Sequence, residues 1–402
     1  VIRSPTMLSA TGIKALIGFK RSQFLYSTFF CSKILMESPP KTPCPAKFST
    51  SPIISPPREA HEVNSCEGEA TAVSLREWQA WGTASPISAM VAVVLDDLKA
   101  LATETDAPMT FGGKGGKLKG DFKVKEDKKH RAKYKALADS ETKLHFFSAR
   151  QIACRLIGSR NYLCQKCWLP LVDCMCSRVE NCSLWHGIRF WLYMHPKDFL
   201  RQNNTGKLLW QVFGVQAATL CLFGIAEHEE IMWNEFMHAG KRNVWCLYPN
   251  KNALTKSIQD IFAQDSSTGQ VYTSDKTNGD HRMNFVLIDG TWSNSAAMFR
   301  RLKERATLVW GEDFPCISLT TGASSMHKLR PQPSWDRTCT AAAAISLLYE
   351  LQLLPRFSSF ELGEQAEALE DGLEVLLEAL TGRRLCMGRS ITRKERHRSD
   401  IC

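Results

Sequence analysis

The chain has no run of about eighteen or more apolar residues, so no segment reads as a membrane-spanning helix. It has no clear secretory signal. Its 15 cysteines are scattered except for one tight cluster, which argues against a disulfide framework and for a reducing compartment. Acidic residues are missing before Glu37, whereas Lys14, Lys20, Arg21 and Lys33 stand among many Ser and Thr. That composition suits a chloroplast or mitochondrial transit peptide beginning at Met7 or Met36. A disordered leader on a cytoplasmic or nuclear protein, or a misplaced gene start, suits it equally. There is no internal repeat. The glycine run Gly112-Gly113-Lys114-Gly115-Gly116-Lys117 lacks the Gly-Lys-Ser/Thr ending and the preceding apolar strand of a phosphate-binding loop, and it lacks dinucleotide spacing. It reads as a flexible basic loop.

The 402 residues, 44% of them hydrophobic, suffice for one sizeable core with extensions or for two domains. The net charge of +10 fits a polyanionic partner without naming one. Residues 1–84 carry Ser/Pro clusters such as Ser38-Pro39-Pro40 and read as a disordered or transit-like leader. Order is expected from Ser85-Pro86, with a helix carrying Met90, Val94, Leu95, Leu98 and Leu101. Residues 85–150 then form a basic helical extension. There Lys123, Lys125, Lys128, Lys129, Arg131, Lys133 and Lys135 interleave with Phe122 and Tyr134. Such a run is either a solvated helix face or a surface that neutralises nucleic-acid phosphates.

Cys164-Gln-Lys-Cys167 followed by Cys174-Met-Cys176 makes residues 151–186 a zinc-binding segment. A two-residue spacer lets both sulfurs of a pair face one ion, and four thiolates close a tetrahedral shell with no open position, so the metal is structural. The alternative is a set of buried or redox cysteines. Cys182 is spare, and Cys154, Cys221, Cys246, Cys316 and Cys339 sit in apolar surroundings as core residues.

From Arg189 the pattern changes. Short apolar runs at Phe190–Met194, Thr219–Phe223, Val244–Tyr248, Phe285–Ile288 and Cys316–Leu319 are separated by helical stretches, one opening at Asn204-Thr205 and another spanning Thr340 to Leu354. Continuous apolar strands alternating with helices predict an α/β fold over residues 187–355, with a mainly parallel sheet covered by helices on both faces. Residues 356–402 add an acidic amphipathic helix, Glu361–Leu380, and a basic tail.

Several of these segments together resemble one family. The run Arg160-Asn-Tyr-Leu-Cys164-Gln-Lys-Cys167-Trp-Leu-Pro170-Leu-Val-Asp-Cys174-Met-Cys176 is similar to the opening signature of the DTW-domain family. Asn204-Thr205-Gly206-Lys207 resembles its Asn-Thr-Gly-Arg/Lys block, and Leu247-Tyr248-Pro249 its apolar-Pro block. Asp289-Gly290-Thr291-Trp292 resembles the motif that names it, and Ser325-Met-His-Lys-Leu329-Arg330 with Cys339-Thr340-Ala341 its closing segment. Each block alone is weak, but the ordered set over about 155–355 is specific. Where the family often has Glu two residues after the closing Thr, this chain has Ala342. The resemblance implies a knotted core of the SPOUT type that holds S-adenosylmethionine, with tRNA as partner. It implies transfer of the donor's 3-amino-3-carboxypropyl group to uridine.

On that reading Asp289, Gly290, Thr291 and Trp292 form the central motif, with Asp289 the catalytic base. Tyr248, Pro249, Gly290, Thr291, Leu329, Arg330 and Thr340 surround the donor. Asn204, Thr205 and Lys207 face RNA together with Lys123, Lys125, Lys128, Lys129 and Arg131. From the residues alone, Asp289 is equally a site carboxylate at the end of a buried strand or an N-cap for the helix expected over Ser295–Lys303. His195-Pro196 reads as plain loop chemistry. A SPOUT-type methyltransferase and a non-catalytic zinc-stabilised RNA-binding protein are the competing readings. Oligomeric state is not legible.

Overall fold

The structure is a computed structural model that describes residues 73–105, 109–112, 117–248, 256–262, 282–319 and 338–389. Pro249, Leu329 and Arg330, most of the leader, the glycine-rich loop core and the basic tail from 390 lie outside the described residues.

Helical structure occurs upstream of Ser85, where order was expected to begin. Helix α1, Leu75–Ala80, lies inside the segment expected to be leader; Ser74 caps it by accepting from Glu77 N (3.1 Å). Its Trp78, and Trp81 just beyond, are buried, so this stretch belongs to the core. Helix α2, Ala89–Thr105, buries Val91, Val94, Leu95, Leu98 and Leu101 along one stripe. An antiparallel hairpin, β1 Phe111–Gly112 with β2 Lys117–Leu118, leads to the basic helix α3, Gly120–Ala136. Helix α3 buries only Phe122 and Glu126 among its side chains, and Glu126 is satisfied by Arg150 of α4, Ser140–Ser159 (Nε to Oε1, 2.6 Å).

After the cysteine segment come β3 Ile188–Met194, α5 Lys207–Phe213, β4 Ala218–Leu222, α6 Ala226–Ala239 and β5 Val244–Leu247. Then follow β6 Lys256–Ser257, α7 Ile258–Phe262, β7 Met283–Asp289, α8 Trp292–Trp310, β8 Cys316–Ser318, α9 Thr340–Gln352 and α10 Leu362–Cys386. The six strands pair in the order β4-β3-β7-β5-β8-β6, and every pairing is parallel. Each expected apolar run is a strand. The edge pair Lys256–Ser257 was not expected, because two polar residues carry no periodic signal.

Alternation along the strands divides the core. Phe190, Leu192, Met194, Phe285 and Leu287 pack with α4, α5, α9 and α10, whereas Trp191, Tyr193, Val286 and Cys246 pack with α6 and α8. Both sheet faces are therefore covered, which is why the strands read as unbroken apolar runs. Among the described residues no helix is long and apolar enough to cross a membrane.

The N-terminal helices dock on this core through polar contacts. Ser85 Oγ lies 2.7 Å from His228 Nε2, and Glu227 accepts from Ser88 Oγ (3.0 Å) and Ala89 N (3.1 Å). Arg301 of α8 binds Glu229 of α6 (Nε to Oε2, 2.8 Å) and Glu141 at the start of α4 (Nη1 to Oε2, 2.7 Å).

Candidate functional site

The cysteine centre is built by a tight hairpin. Cys164 N donates to Leu169 O (2.8 Å), Trp168 N to Cys164 O (2.9 Å) and Leu171 N to Tyr162 O (3.0 Å). Trp168 adopts φ +55°, which turns the chain immediately after Cys167. Its buried indole packs on Trp210 (5.2 Å) and Phe199 (5.5 Å). The four sulfurs of Cys164, Cys167, Cys174 and Cys176 lie within 4.8 Å of one another, with Cys164–Cys176 at 3.6 Å and Cys167–Cys174 at 3.8 Å. A tetrahedral ion with about 2.3 Å metal–sulfur bonds needs sulfurs about 3.8 Å apart, so the set fits one ion. Hydrogen bonds from Cys167 and Cys176 hold the Cys164 thiol well below the usual thiol range. Helix α10 clamps this centre from outside: Arg383 donates to Asp173 (2.9 Å) and to Tyr162 Oη (3.0 Å).

The second cluster sits at the carboxyl ends of the central strands, where ligands bind in open parallel sheets. Asp289 ends β7 and is 5% exposed. Asn204 Nδ2 donates to both its carboxylate oxygens at 3.0 Å, and the Asn204 carbonyl oxygen Oδ1 accepts from Lys207 N (3.1 Å). Gly206 makes room for this pair, since a β-carbon there would stand 2.1 Å from Asp289 Oδ2. Thr205 Oγ1 accepts from Ala341 N (3.4 Å), which brings the start of α9 to the same place. Residue 291, not 289, occupies the cap position of α8, so the plain-cap reading of Asp289 gives way to a carboxylate held by the Asn204 amide. Helices α8 and α9 both start here, and neither Thr291 nor Cys339 makes a side-chain cap hydrogen bond. Their first-turn amide dipoles favour an anionic group.

His195 follows β3 directly, and its backbone N donates to Asp289 O (2.8 Å). Burial pulls its pKa down to about 4, and its Nδ1 accepts from Lys197 N (3.2 Å). The ring is therefore neutral at pH 7, and this bond assigns its proton to Nε2. The ring stacks on Phe223 at 5.7 Å. Sequence reasoning took His195-Pro196 for loop chemistry; its place at a strand end was the one available signal.

The structure gathers Asn204, Thr205, Asp289 and Gly290 at this edge, with the α8 start at Thr291-Trp292 and the α9 start at Thr340. Tyr248, one residue past β5, stacks on Phe299 of α8 at 4.3 Å. Two assignments change. Asn204 was expected to face RNA, and its buried amide instead holds Asp289. Lys207 was expected to meet phosphate, yet it is fully buried, and its Nζ donates to the carbonyls of Cys167 and of Gln202 (2.7 Å). Burial pulls its ammonium down to about 7, while the sulfurs of Cys167, Cys176 and Cys164 pull it back up. A lysine in a helix-opening motif reads as solvated because nothing local reports the cysteine loop above it. On α3, Lys123 pairs with Asp127, Lys129 with Glu104 (3.4 Å) and Lys133 with Asp97. Lys125, Lys128, Arg131 and Lys135 are exposed and form no ion pair among the described residues.

The DTW domain family model matches residues 161–384. No solved structure matches the chain. The matched span opens at the cysteine hairpin, takes in the Asn204–Asp289 pair and closes within α10, so the chain belongs to the DTW-domain family, which includes tRNA-uridine aminocarboxypropyltransferases.

Proposed function

We propose that this chain transfers the 3-amino-3-carboxypropyl group of S-adenosylmethionine to N3 of a uridine in tRNA. The observation that carries the reading is the Asp289 carboxylate, buried at the end of β7 and held by both oxygens on Asn204. Family membership supports a tRNA-modifying role in general. Asp289 takes the N3 proton as N3 bonds to the donor's γ-carbon. The bond from that carbon to sulfur breaks, its electron pair neutralises the sulfonium, and methylthioadenosine leaves. Orientation selects the γ-carbon over the methyl. Trp292 offers a stacking face for a base. The starts of α8 and α9, with Thr291 and Thr340, receive the donor's carboxylate together with Arg330. Tyr248, Pro249, Gly290 and Leu329 complete the donor pocket within a knotted core. Zinc on Cys164, Cys167, Cys174 and Cys176 is structural and fixes the hairpin.

The outward face of α3 meets the tRNA backbone. Helix α4, which follows α3, reaches the active edge: Glu141 pairs with Arg301 of α8, and Lys197 of the His195 loop lies over the Phe147 ring (Nζ 5.3 Å from the centroid).

Donor labelled separately in its methyl and carboxyl groups, incubated with the protein and tRNA, tests the reading. Carboxyl label on the RNA is the expected result. Methyl label alone would make the protein a methyltransferase. Neither label would make it a zinc-stabilised RNA-binding protein, the reading that Ala342 in place of the family Glu keeps open.

A further inference from the structure

Lys207 has an environment that the reaction does not explain. It is fully buried in the first turn of α5, with its amine shut off from solvent. Its Nζ donates to two backbone carbonyls, Cys167 O inside the cysteine hairpin and Gln202 O in the loop before the Asn204 block. One turn on, Gln211 Nε2 donates to Lys166 O (2.6 Å), so α5 grips the Cys164–Cys167 loop twice. Cys182 N donates to Val212 O (2.9 Å), which fastens the chain after the cysteines to the same helix.

The other end of Lys207 faces the carboxylate. Lys207 N donates to Asn204 Oδ1, which fixes the direction of the Asn204 amide, and Asn204 Nδ2 then donates to both Asp289 oxygens. One residue thus bonds the cysteine loop through its side chain and orients the Asp289 holder through its backbone. There is little slack between these bonds. At Gly206, between Asn204 and Lys207, an added β-carbon would stand 2.1 Å from Asp289 Oδ2 and 3.0 Å from Leu192 Cδ2, so no side chain fits there.

We propose that Lys207 is a positioning residue that ties the cysteine centre to Asp289. The metal holds the Cys164–Cys167 hairpin, the hairpin holds the Lys207 side chain, and Lys207 sets the Asn204 amide that aims the Asp289 carboxylate. The inference rests on the proposed role of Asp289 only for its effect on rate. Its structural content stands apart.

Hydrogen exchange read by mass spectrometry on the zinc-loaded full chain tests it. Lys207→Met is expected to raise exchange about tenfold or more in peptides covering 202–206 and 289–294, leaving α6 unchanged, and to speed zinc release to a chromophoric chelator. Lys207→Arg, the alternative that the family block itself uses, is expected to restore both. In the transfer assay Lys207→Met lowers kcat with little change in the KM for tRNA. Unchanged exchange in both segments overturns the inference whatever the activity does. Faster zinc release with unchanged exchange at 289–294 confines Lys207 to the metal centre and also overturns it. Raised exchange alongside a fully active Asp289→Asn variant upholds the link and removes Asp289 as base instead. If Lys207→Met does not fold, the wild-type chain with zinc bound and stripped supplies the same comparison, and the same two segments must respond.

Discussion

The cysteine centre and the Asp289 edge are bonded to one another through Lys207, and they are built in opposite ways. The four sulfurs come from one short hairpin, Cys164 to Cys176, closed by its own backbone hydrogen bonds. The carboxylate edge draws on three strand ends, the Asn204 segment before α5 and the starts of α8 and α9, and its defining contact, Asn204 to Asp289, spans 85 residues of sequence. A hairpin with an ion depends on the ion. An edge assembled from distant segments depends on the whole sheet and on each small spacing within it. Removing one part of the first should therefore cost folding, whereas removing one part of the second should cost chemistry while the fold survives.

The largest expected effect is on the first side of that contrast. Freshly purified, unchelated protein should carry one zinc per chain by metal analysis. Structural zinc contributes on the order of 10 kcal/mol or more to folding. Cys174→Ser should then lower soluble yield and the thermal unfolding midpoint far more than Cys182→Ser does. Equal midpoints for the two variants, or protein isolated without zinc, would erase the distinction.

On the second side, Asp289→Asn should keep the midpoint, the zinc and most donor binding while transfer falls about 100-fold or more, the usual yield of a general base. Raising pH should partly rescue it, because uridine N3 then ionises unaided. A nearly fully active variant leaves Asp289 a structural residue, and one that also loses donor makes it a binding residue.

Gly206→Ala probes the spacing of that edge. Its β-carbon would stand 2.1 Å from Asp289 Oδ2, so the carboxylate must move. Transfer should drop about tenfold, and stability by about 1–3 kcal/mol, as for other overpacked sites. Wild-type transfer rates in this variant would show that the carboxylate position is not critical.

The smallest effect should come from α3, whose exposed cations belong to neither region. Replacing Lys125, Lys128 and Arg131 by Glu should weaken tRNA binding and flatten its salt dependence. The logarithmic slope should fall by roughly 0.9 for each duplex phosphate that the helix no longer neutralises. Zinc content and donor affinity should not change. Lys129→Glu, whose side chain already pairs with Glu104, should do less. An unchanged salt slope in the triple variant would make this face ordinary solvated surface.

Much of the architecture was legible beforehand. Five strands were visible because strands buried on both faces spell themselves as unbroken apolar runs, and α10 because Leu362, Ala366, Leu369, Leu373 and Leu376 keep helical spacing. Order was expected from Ser85, yet α1 lies before it. Trp78 and Trp81 lie downstream of Ser- and Pro-rich sequence, and two tryptophans at a six-residue helix offer no period to read. At the site, the motif order pointed to Asp289, but the partners of Lys207 were hidden. Burial of a lysine depends on what is folded over it, and that cover lies some forty residues earlier in the chain.

The sequence by itself marked the cysteine cluster and the parallel sheet, which rest on spacing or periodicity within short windows, and the family, which rests on the order of several weak blocks. Only the tertiary structure decided that Asn204 serves Asp289, that Lys207 turns inward to the cysteine loop, and which cations of α3 are left facing solvent. Those outcomes depend on distances between segments far apart in the chain. Neither charge nor residue type encodes a distance; packing around one shared sheet does.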